Sequence, residues 1–202
     1  MNKIRVTGSV LSNPTYSHTV YGEKFYNFSL ICGRLSGAYD TLCCEVSEVL
    51  ISNITLGTQI ELSGEIRTRN YTDNEGKRKC DIKVFVEQIS QYDGLYDENE
   101  VTLSGFICKE PQYRTTPLGR NIADVLVASN RIRSHKSDYI PCIAWGRNAL
   151  RVSQMAVGTK VDVIGRLQSR EYIKVLPDGT KETKVAYELS ICKIKESETD
   201  EN

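Results

Sequence analysis

Between Ile60 and Tyr71 apolar and polar side chains alternate. Ile60, Leu62, Gly64 and Ile66 fall on one face of an extended chain, and Arg67, Arg69 and Tyr71 on the other. Alternation with a period of two predicts a half-buried β-strand. A turn at Glu75-Gly76 follows, and the basic residues Lys77, Arg78 and Lys79 lead into a second alternating run ending at Ile89. The stretch therefore reads as a hairpin with one apolar face and one basic face tipped by tyrosine.

The pattern occurs twice. "IRVTGSVLSNP" (Ile4 to Pro14) matches "VTLSGFICKEP" (Val101 to Pro111), pairing Gly8 with Gly105 and Pro14 with Pro111; Gly22 and Gly119 follow at the same offset. "LGTQIELSGEIRTRNY" matches "VGTKVDVIGRLQSREY", pairing Gly57 with Gly158, Gly64 with Gly165, Arg69 with Arg170 and Tyr71 with Tyr172. Self-similarity in this order marks a duplicated unit. Each copy reads as five strands, in the second copy about Val101–Cys108, Ala123–Asn130, Tyr139–Trp145, Lys160–Tyr172 and Thr183–Ile194. A short helix is predicted between strands three and four, at Asn148–Ala156 and, in the first copy, Glu48–Thr55; a glycine closes each. Five antiparallel strands with a helix in that place fit a Greek-key barrel, the OB-fold. The predicted organisation is all-β with two tandem OB-folds: residues 1–90, an acidic linker 91–99, residues 100–195, and an acidic tail 196–202 expected to be disordered.

Composition excludes several classes. No apolar run is long enough to cross a bilayer, and the N-terminus alternates at once instead of carrying a signal-peptide stretch, so a soluble cytoplasmic protein without membrane contact is expected. Seven cysteines without a C-x-x-C pair and two histidines (His18, His135, in polar loop-like segments) form no zinc spacing, and no metal or other cofactor is expected. The adjacent Cys43-Cys44 could be a redox pair, but one thiol inward and one outward on a strand explains it more simply. There is no Gly-rich phosphate loop and no serine elbow, so no enzyme and no catalytic residue is expected.

The zero net charge hides an asymmetry. Residues 1–95 hold 10 Lys/Arg against 11 Asp/Glu, residues 96–195 hold 16 against 11, and the last seven hold four acids and no base. A basic second copy suits a polyanion partner, although most charges on any protein are simply solvated. The spacing adds more. On the third strand of the second copy Ile140, Cys142 and Ala144 form one face, and Tyr139, Ile143 and Trp145 the opposite one. On the fourth, Val161, Val163, Gly165 and Leu167 oppose Arg166, Arg170 and Tyr172. An outward Tyr139/Trp145/Tyr172 surface flanked by arginine is what a sequence-tolerant single-strand binder needs, since every base offers a face for stacking. Taken singly, Trp145 fits a core or a subunit interface better than a ligand face. Phe106 also takes outward parity, but a glycine-containing strand easily loses its parity to a bulge.

"CKEPQYRTTPLGRNIADVLVASNR" (Cys108 to Arg131), with its Pro-x-x-Arg and Pro-x-Gly segments, resembles the start of bacterial single-stranded DNA-binding proteins. "SDYIPCIAWGRNA" resembles their third strand, and both "VGTKVDVIGRLQSREY" and "GEIRTRNYTDNEGKRK" are similar to their fourth. The likeness covers residues 99–194 well and 3–90 more loosely. It implies base-stacking roles for Tyr139, Trp145 and Tyr172, with only Tyr71 surviving in the first copy, where Thr41, Glu45 and Ser47 replace Tyr139, Ile143 and Trp145. Phosphates would be held by Arg67, Arg69, Lys77 and Arg78 in the first copy. In the second they would be held by Arg114, Arg131, Arg133, Lys136, Arg166, Arg170, Lys174, Lys181 and Lys184, with Arg131, Arg133 and Lys136 on a loop closing over the strand. Glu45 would repel phosphate, so the first copy is expected to bind weakly and serve in assembly.

The resemblance further implies a protein that coats and protects single-stranded DNA during replication, recombination or repair. It implies a homodimer with four OB-folds, and replication or repair proteins as partners. The chain stops at Thr199-Asp200-Glu201-Asn202 where the family closes on Asp-Ile-Pro-Phe, which puts recruitment through the tail in question. The rival readings are a primosome-type OB-fold module working through protein contacts, and an RNA-binding, cold-shock-like role.

Overall fold

The computed structural model describes residues 1–72, 76, 78–131, 134, 136–176 and 179–197, and Arg78 by its backbone alone. Lys77, Arg133, His135, Glu75 and the last five residues of the acidic tail lie outside the described residues.

The first half runs β1 (Asn2–Val10), β2 (Thr15–Val20), β3 (Glu23–Gly33), β4 (Tyr39–Ser47), a 3-10 helix (Glu48–Asn53), β5 (Gln59–Thr72) and β6 (Arg78–Gln91). The second repeats it as β7 (Asn99–Ile107), β8 (Gln112–Thr115), β9 (Asn121–Asn130), β10 (Ser137–Trp145), α1 (Arg147–Val152), β11 (Lys160–Val175) and β12 (Lys181–Glu196). In each half five strands close a ring, β1-β3-β4-β6-β5 and β7-β9-β10-β12-β11, with only β4–β6 and β10–β12 parallel. These are two OB-fold barrels.

Each half holds six strands, not five. The extra ones, β2 and β8, pair with the leading ends of β3 and β9 outside the ring. Tyr21 and Gly22, both at positive φ (49° and 85°), make the two-residue turn that folds β2 back. His18 is therefore on a strand and not in a loop, its ring stacked on Phe25 at 5.2 Å. The helices are shorter than the predicted Glu48–Thr55 and Asn148–Ala156. The β-branched run around Val49, Ile51 and Ile54 disfavours an α-helix, and Ser47 caps a single 3-10 segment by accepting from the Val49 N–H.

The barrels are joined edge to edge. β1 and β7 pair antiparallel, Ile4 opposite Val101, so the two rings share one twelve-stranded sheet related by an approximate twofold. The segment between β6 and β7 is tied down. Asp97 accepts from the Gly33 N–H at 2.6 Å, the Glu98 N–H donates to Thr7 Oγ1 at 2.6 Å, and the Glu98 carboxylate pairs with Arg5 at 2.9 Å.

The repeated glycines have a steric reason. A Cβ on Gly8 would meet the carbonyl oxygen of Ile31, and one on Gly105 that of Ala128; Gly64 and Gly165, each at a register shift, would meet Phe85 O and Ser190 O. These are the points where a coiled strand presses on its neighbour as the barrel closes. Gly105→Ala is expected to cost about 1–3 kcal/mol as an overpacked backbone contact, read as a lower thermal midpoint.

Cys32, Cys44 and Cys142 are buried, Cys43 and Cys108 half-buried, and all seven thiols are free. Burial pushes Cys44 and Cys142 well up; burial, then Asp97 and Asp40, takes Cys32 up to about 12. Thiols held protonated in this way act as small apolar side chains.

Candidate nucleic-acid interface

The outward face of the second barrel is built by strand alternation. On β10, Ile140, Cys142 and Ala144 enter the core, while Tyr139 and Trp145 stand 41 % exposed on the other side. Ile143, between them on that face, is only 6 % exposed and forms part of its floor. Cross-strand pairing extends the surface: Trp145 faces Ile122, and Ile122 faces Arg114. Arg114 pairs with Asp124 at 3.0 Å, but both are exposed, and such a pair contributes at most about 1 kcal/mol.

The β11–β12 hairpin supplies a second wall. Arg170 opposite Ala186, Tyr172 opposite Lys184 and Lys174 opposite Glu182 share one face. The Arg170 guanidinium lies 6.0 Å from the Tyr172 ring centroid, and the repeat places Arg69 5.6 Å from Tyr71. Lys184 pairs with Glu182 at 3.0 Å, Lys181 is exposed at the start of β12, and Lys136 is exposed just before β10. Arg166 is half-buried near Cys32 of the first half.

The first barrel presents a different face. Three of the described basic groups along it meet an acid: Lys83 with Glu45 at 3.0 Å, Arg67 with Glu65 at 3.4 Å, Arg69 with Asp81 at 3.1 Å. Arg67 also lies 3.2 Å over the ring of Phe85. Burial, then the nearby Arg131 charge, holds its guanidinium below the usual range. Glu45 is therefore neutralised by Lys83 instead of standing as a bare charge, and Phe85 is an aromatic already covered by its own chain.

Arg131 lies between β9 and β10, where its side chain is engaged within the protein. Its guanidinium donates to both oxygens of Asp138, at 2.8 and 2.7 Å, and Asp138 is 0 % exposed. Asp138 also accepts from the Thr68 N–H at 2.6 Å, and the Tyr139 N–H donates to Thr68 Oγ1 at 2.9 Å. The mirror image joins the other side. Arg34 pairs with the buried Asp40, which accepts from the Ser169 N–H at 2.8 Å, while the Thr41 N–H donates to Ser169 Oγ at 2.9 Å. Asn2 and Asn99 add a third repeated device, each bonding both main-chain groups of one residue, Ile66 and Leu167. Sequence reasoning missed Asn2, Arg34, Asp40, Thr68, Asn99, Asp138 and Ser169, and the role of Arg131 among them. Their signal was the repeat itself, which aligns Arg34 with Arg131, Asp40 with Asp138, and Asn2 with Asn99.

Among the described residues no cluster of His, Cys, Asp or Glu could hold a metal ion, and no helix is long and apolar enough to cross a membrane. The architecture is that of a tandem OB-fold protein whose halves carry unlike outer faces.

Comparison with known proteins narrows this class. The sequence model of the Single-strand binding protein family matches residues 1–92 and again 98–195, once for each barrel, and the chain belongs to that family. Over 80 residues it is 39 % identical to Single-stranded DNA-binding protein 1 of Staphylococcus aureus (37 % of this chain, 48 % of the relative). It is 38 % identical over 80 residues to Single-stranded DNA-binding protein A of Bacillus subtilis (37 % of this chain, 46 % of the relative). The chain thus spans about half the length of the curated relatives it matches. The crystal structure of wild-type single-stranded DNA binding protein from Thermus aquaticus superimposes with a TM-score of 0.75 at 19 % identity, covering 100 % of this chain and 95 % of that one. At that identity the likeness supports the fold.

Proposed function

We propose that this protein binds single-stranded DNA without reading its sequence, chiefly on its second barrel, and coats exposed strands against reannealing and nucleases during replication, recombination or repair. The observation that carries the reading is the trio Tyr139, Trp145 and Tyr172, each 39–41 % exposed on one barrel beside Arg166, Arg170, Lys174 and Lys181. Bases stack on such rings at about 1–3 kcal/mol each, and the cations take phosphates. No chemistry is required, and the names of the relatives point the same way.

The first barrel serves mainly in assembly, with Arg67, Arg69 and Tyr71 as a minor edge of the track. Its self-paired face favours this role, because a strand laid there would have to displace three ion pairs and the Arg67–Phe85 contact. Two copies of the chain would bring four OB-folds together, with further replication or repair proteins as partners in the cytoplasm.

The test is a titration with oligo-thymidine of about 30 nucleotides, following emission from Trp145, with duplex as control and at two salt concentrations. Quenching by the single strand alone is expected. No quenching together with no retention of a labelled strand would leave a barrel pair that binds other proteins. Arg170→Ala is expected to weaken binding and to lower the log–log salt slope by about 0.7, the share of one phosphate on a single strand. An unchanged slope would remove Arg170 from the track.

A further inference from the structure

One row of the second barrel differs from its counterpart at every position. Tyr139 on β10 is directly opposite Ala128 on β9, Ala128 is opposite Phe106 on β7, and Phe106 is opposite Lys160 on β11. Directly paired residues project from the same side of a sheet. The neighbours of each fix that side as the outer one, since Ile140, Val127, Ser129, Gly105, Ile107 and Val161 are all buried. Phe106 is 41 % exposed, as much as Tyr139. The pairing in the first barrel runs Thr41, Ile31, Ser9, Gln59 in the same register. There the middle residue is bulky and the ends carry no ring and no charge. In the second barrel the middle is small, the flanks are aromatic, and the row ends in a cation. Four coordinated differences along one line point to a use for the line.

We propose that Tyr139, Ala128, Phe106 and Lys160 form a second segment of the single-strand path, rounding the barrel from β10 to β11. Phe106 takes a nucleobase, Lys160 a phosphate, and the small Ala128 lets the backbone pass between the rings. Two strand spacings put Phe106 about 10 Å from Tyr139, within reach of neighbouring nucleotides on one strand. Asp162, a carboxylate on that face two residues from Lys160, is already held by Ser104 at 2.6 Å and Lys195 at 3.5 Å.

This inference rests on the single-strand reading, and its test separates the two. Phe106→Ala, Phe106→Tyr, Ala128→Leu and Lys160→Gln would be made in the full chain and titrated with labelled oligo-thymidine, with melting temperature and oligomeric state recorded. Phe106→Ala is expected to lose about 5- to 150-fold in affinity, the value of one stacked base, with Trp145 quenching at saturation retained. Phe106→Tyr keeps wild-type affinity, Ala128→Leu weakens binding without lowering the melting temperature, and Lys160→Gln flattens the salt dependence. Wild-type affinity in Phe106→Ala overturns the proposal, whatever the other variants do. If that variant also changes the oligomeric state, Phe106 is instead a contact between copies. Failure of the unsubstituted protein to bind any oligonucleotide would sink the single-strand reading itself.

Discussion

Asp138→Ala is expected to cost the fold about 3–5 kcal/mol, the usual penalty for removing one member of a buried ion pair. Asp138 is fully buried and stands at the junction of both barrels, holding Arg131 from its own half and the Thr68 N–H from the other. Without the carboxylate, Arg131 keeps a 3.4 Å contact to the Thr68 carbonyl but loses its paired charge, and the Thr68 N–H loses its acceptor inside the protein. Both losses fall on groups that water reaches poorly. Asp138→Asn should cost less, because the amide oxygen can still accept from Thr68 while the charge pair is lost. Unfolding in denaturant measures both variants, and a stability within about 0.5 kcal/mol of the original for Asp138→Ala would mean that the junction is held elsewhere. The same change reaches the candidate interface. The Thr68 hydroxyl that Asp138 helps to fix accepts the Tyr139 N–H, so the first barrel positions a candidate stacking residue of the second.

That arrangement shows what the sequence could and could not disclose. Alternation along Ile60–Ile66 and Val161–Leu167 announced the strands, and the glycines shared by the two copies announced two barrels: Gly8, Gly105, Gly64 and Gly165 mark backbone contacts that exclude a Cβ, and Gly22, Gly119, Gly57 and Gly158 mark turns at positive φ. Tyr139, Trp145 and Tyr172 were legible because their parity on a strand is a local property. Asp138 and Asp40 were not. At inward parity a carboxylate contradicts the apolar rule, and the partners that reconcile it, Thr68 and Ser169, lie 70 and 129 residues away. Only the β1–β7 pairing brings them together. The fate of Arg131 was hidden for the same reason. The quiet face of the first barrel depended on Phe85 and Lys83, whose strand follows the basic hairpin and shows no unusual composition. The short strands β2 and β8 escaped because turn residues flank four to six residues with no apolar face of their own.

Replacing both Tyr139 and Trp145 with alanine should weaken binding to oligo-thymidine by about 2–6 kcal/mol, or roughly 30-fold to 10⁴-fold. The two residues stand six positions apart on β10, about 20 Å along an extended strand, so each is expected to meet a different base and their contributions should add. The readout must be a labelled strand, because the substitution removes the protein's only tryptophan. Both side chains are outward and half-exposed, so the double variant should keep its melting temperature, which separates lost stacking from lost structure. The comparison that matters is with the first barrel. Glu45→Gln with Lys83→Gln removes an ion pair on the corresponding face, where Glu45 stands in the place of Ile143, and should change affinity by less than tenfold, because no base is expected on that face. A comparable loss from both pairs of substitutions would mean that the strand crosses the two barrels alike. A loss confined to Tyr139 and Trp145 would mean that one half of the duplicated chain binds while the other holds it in place.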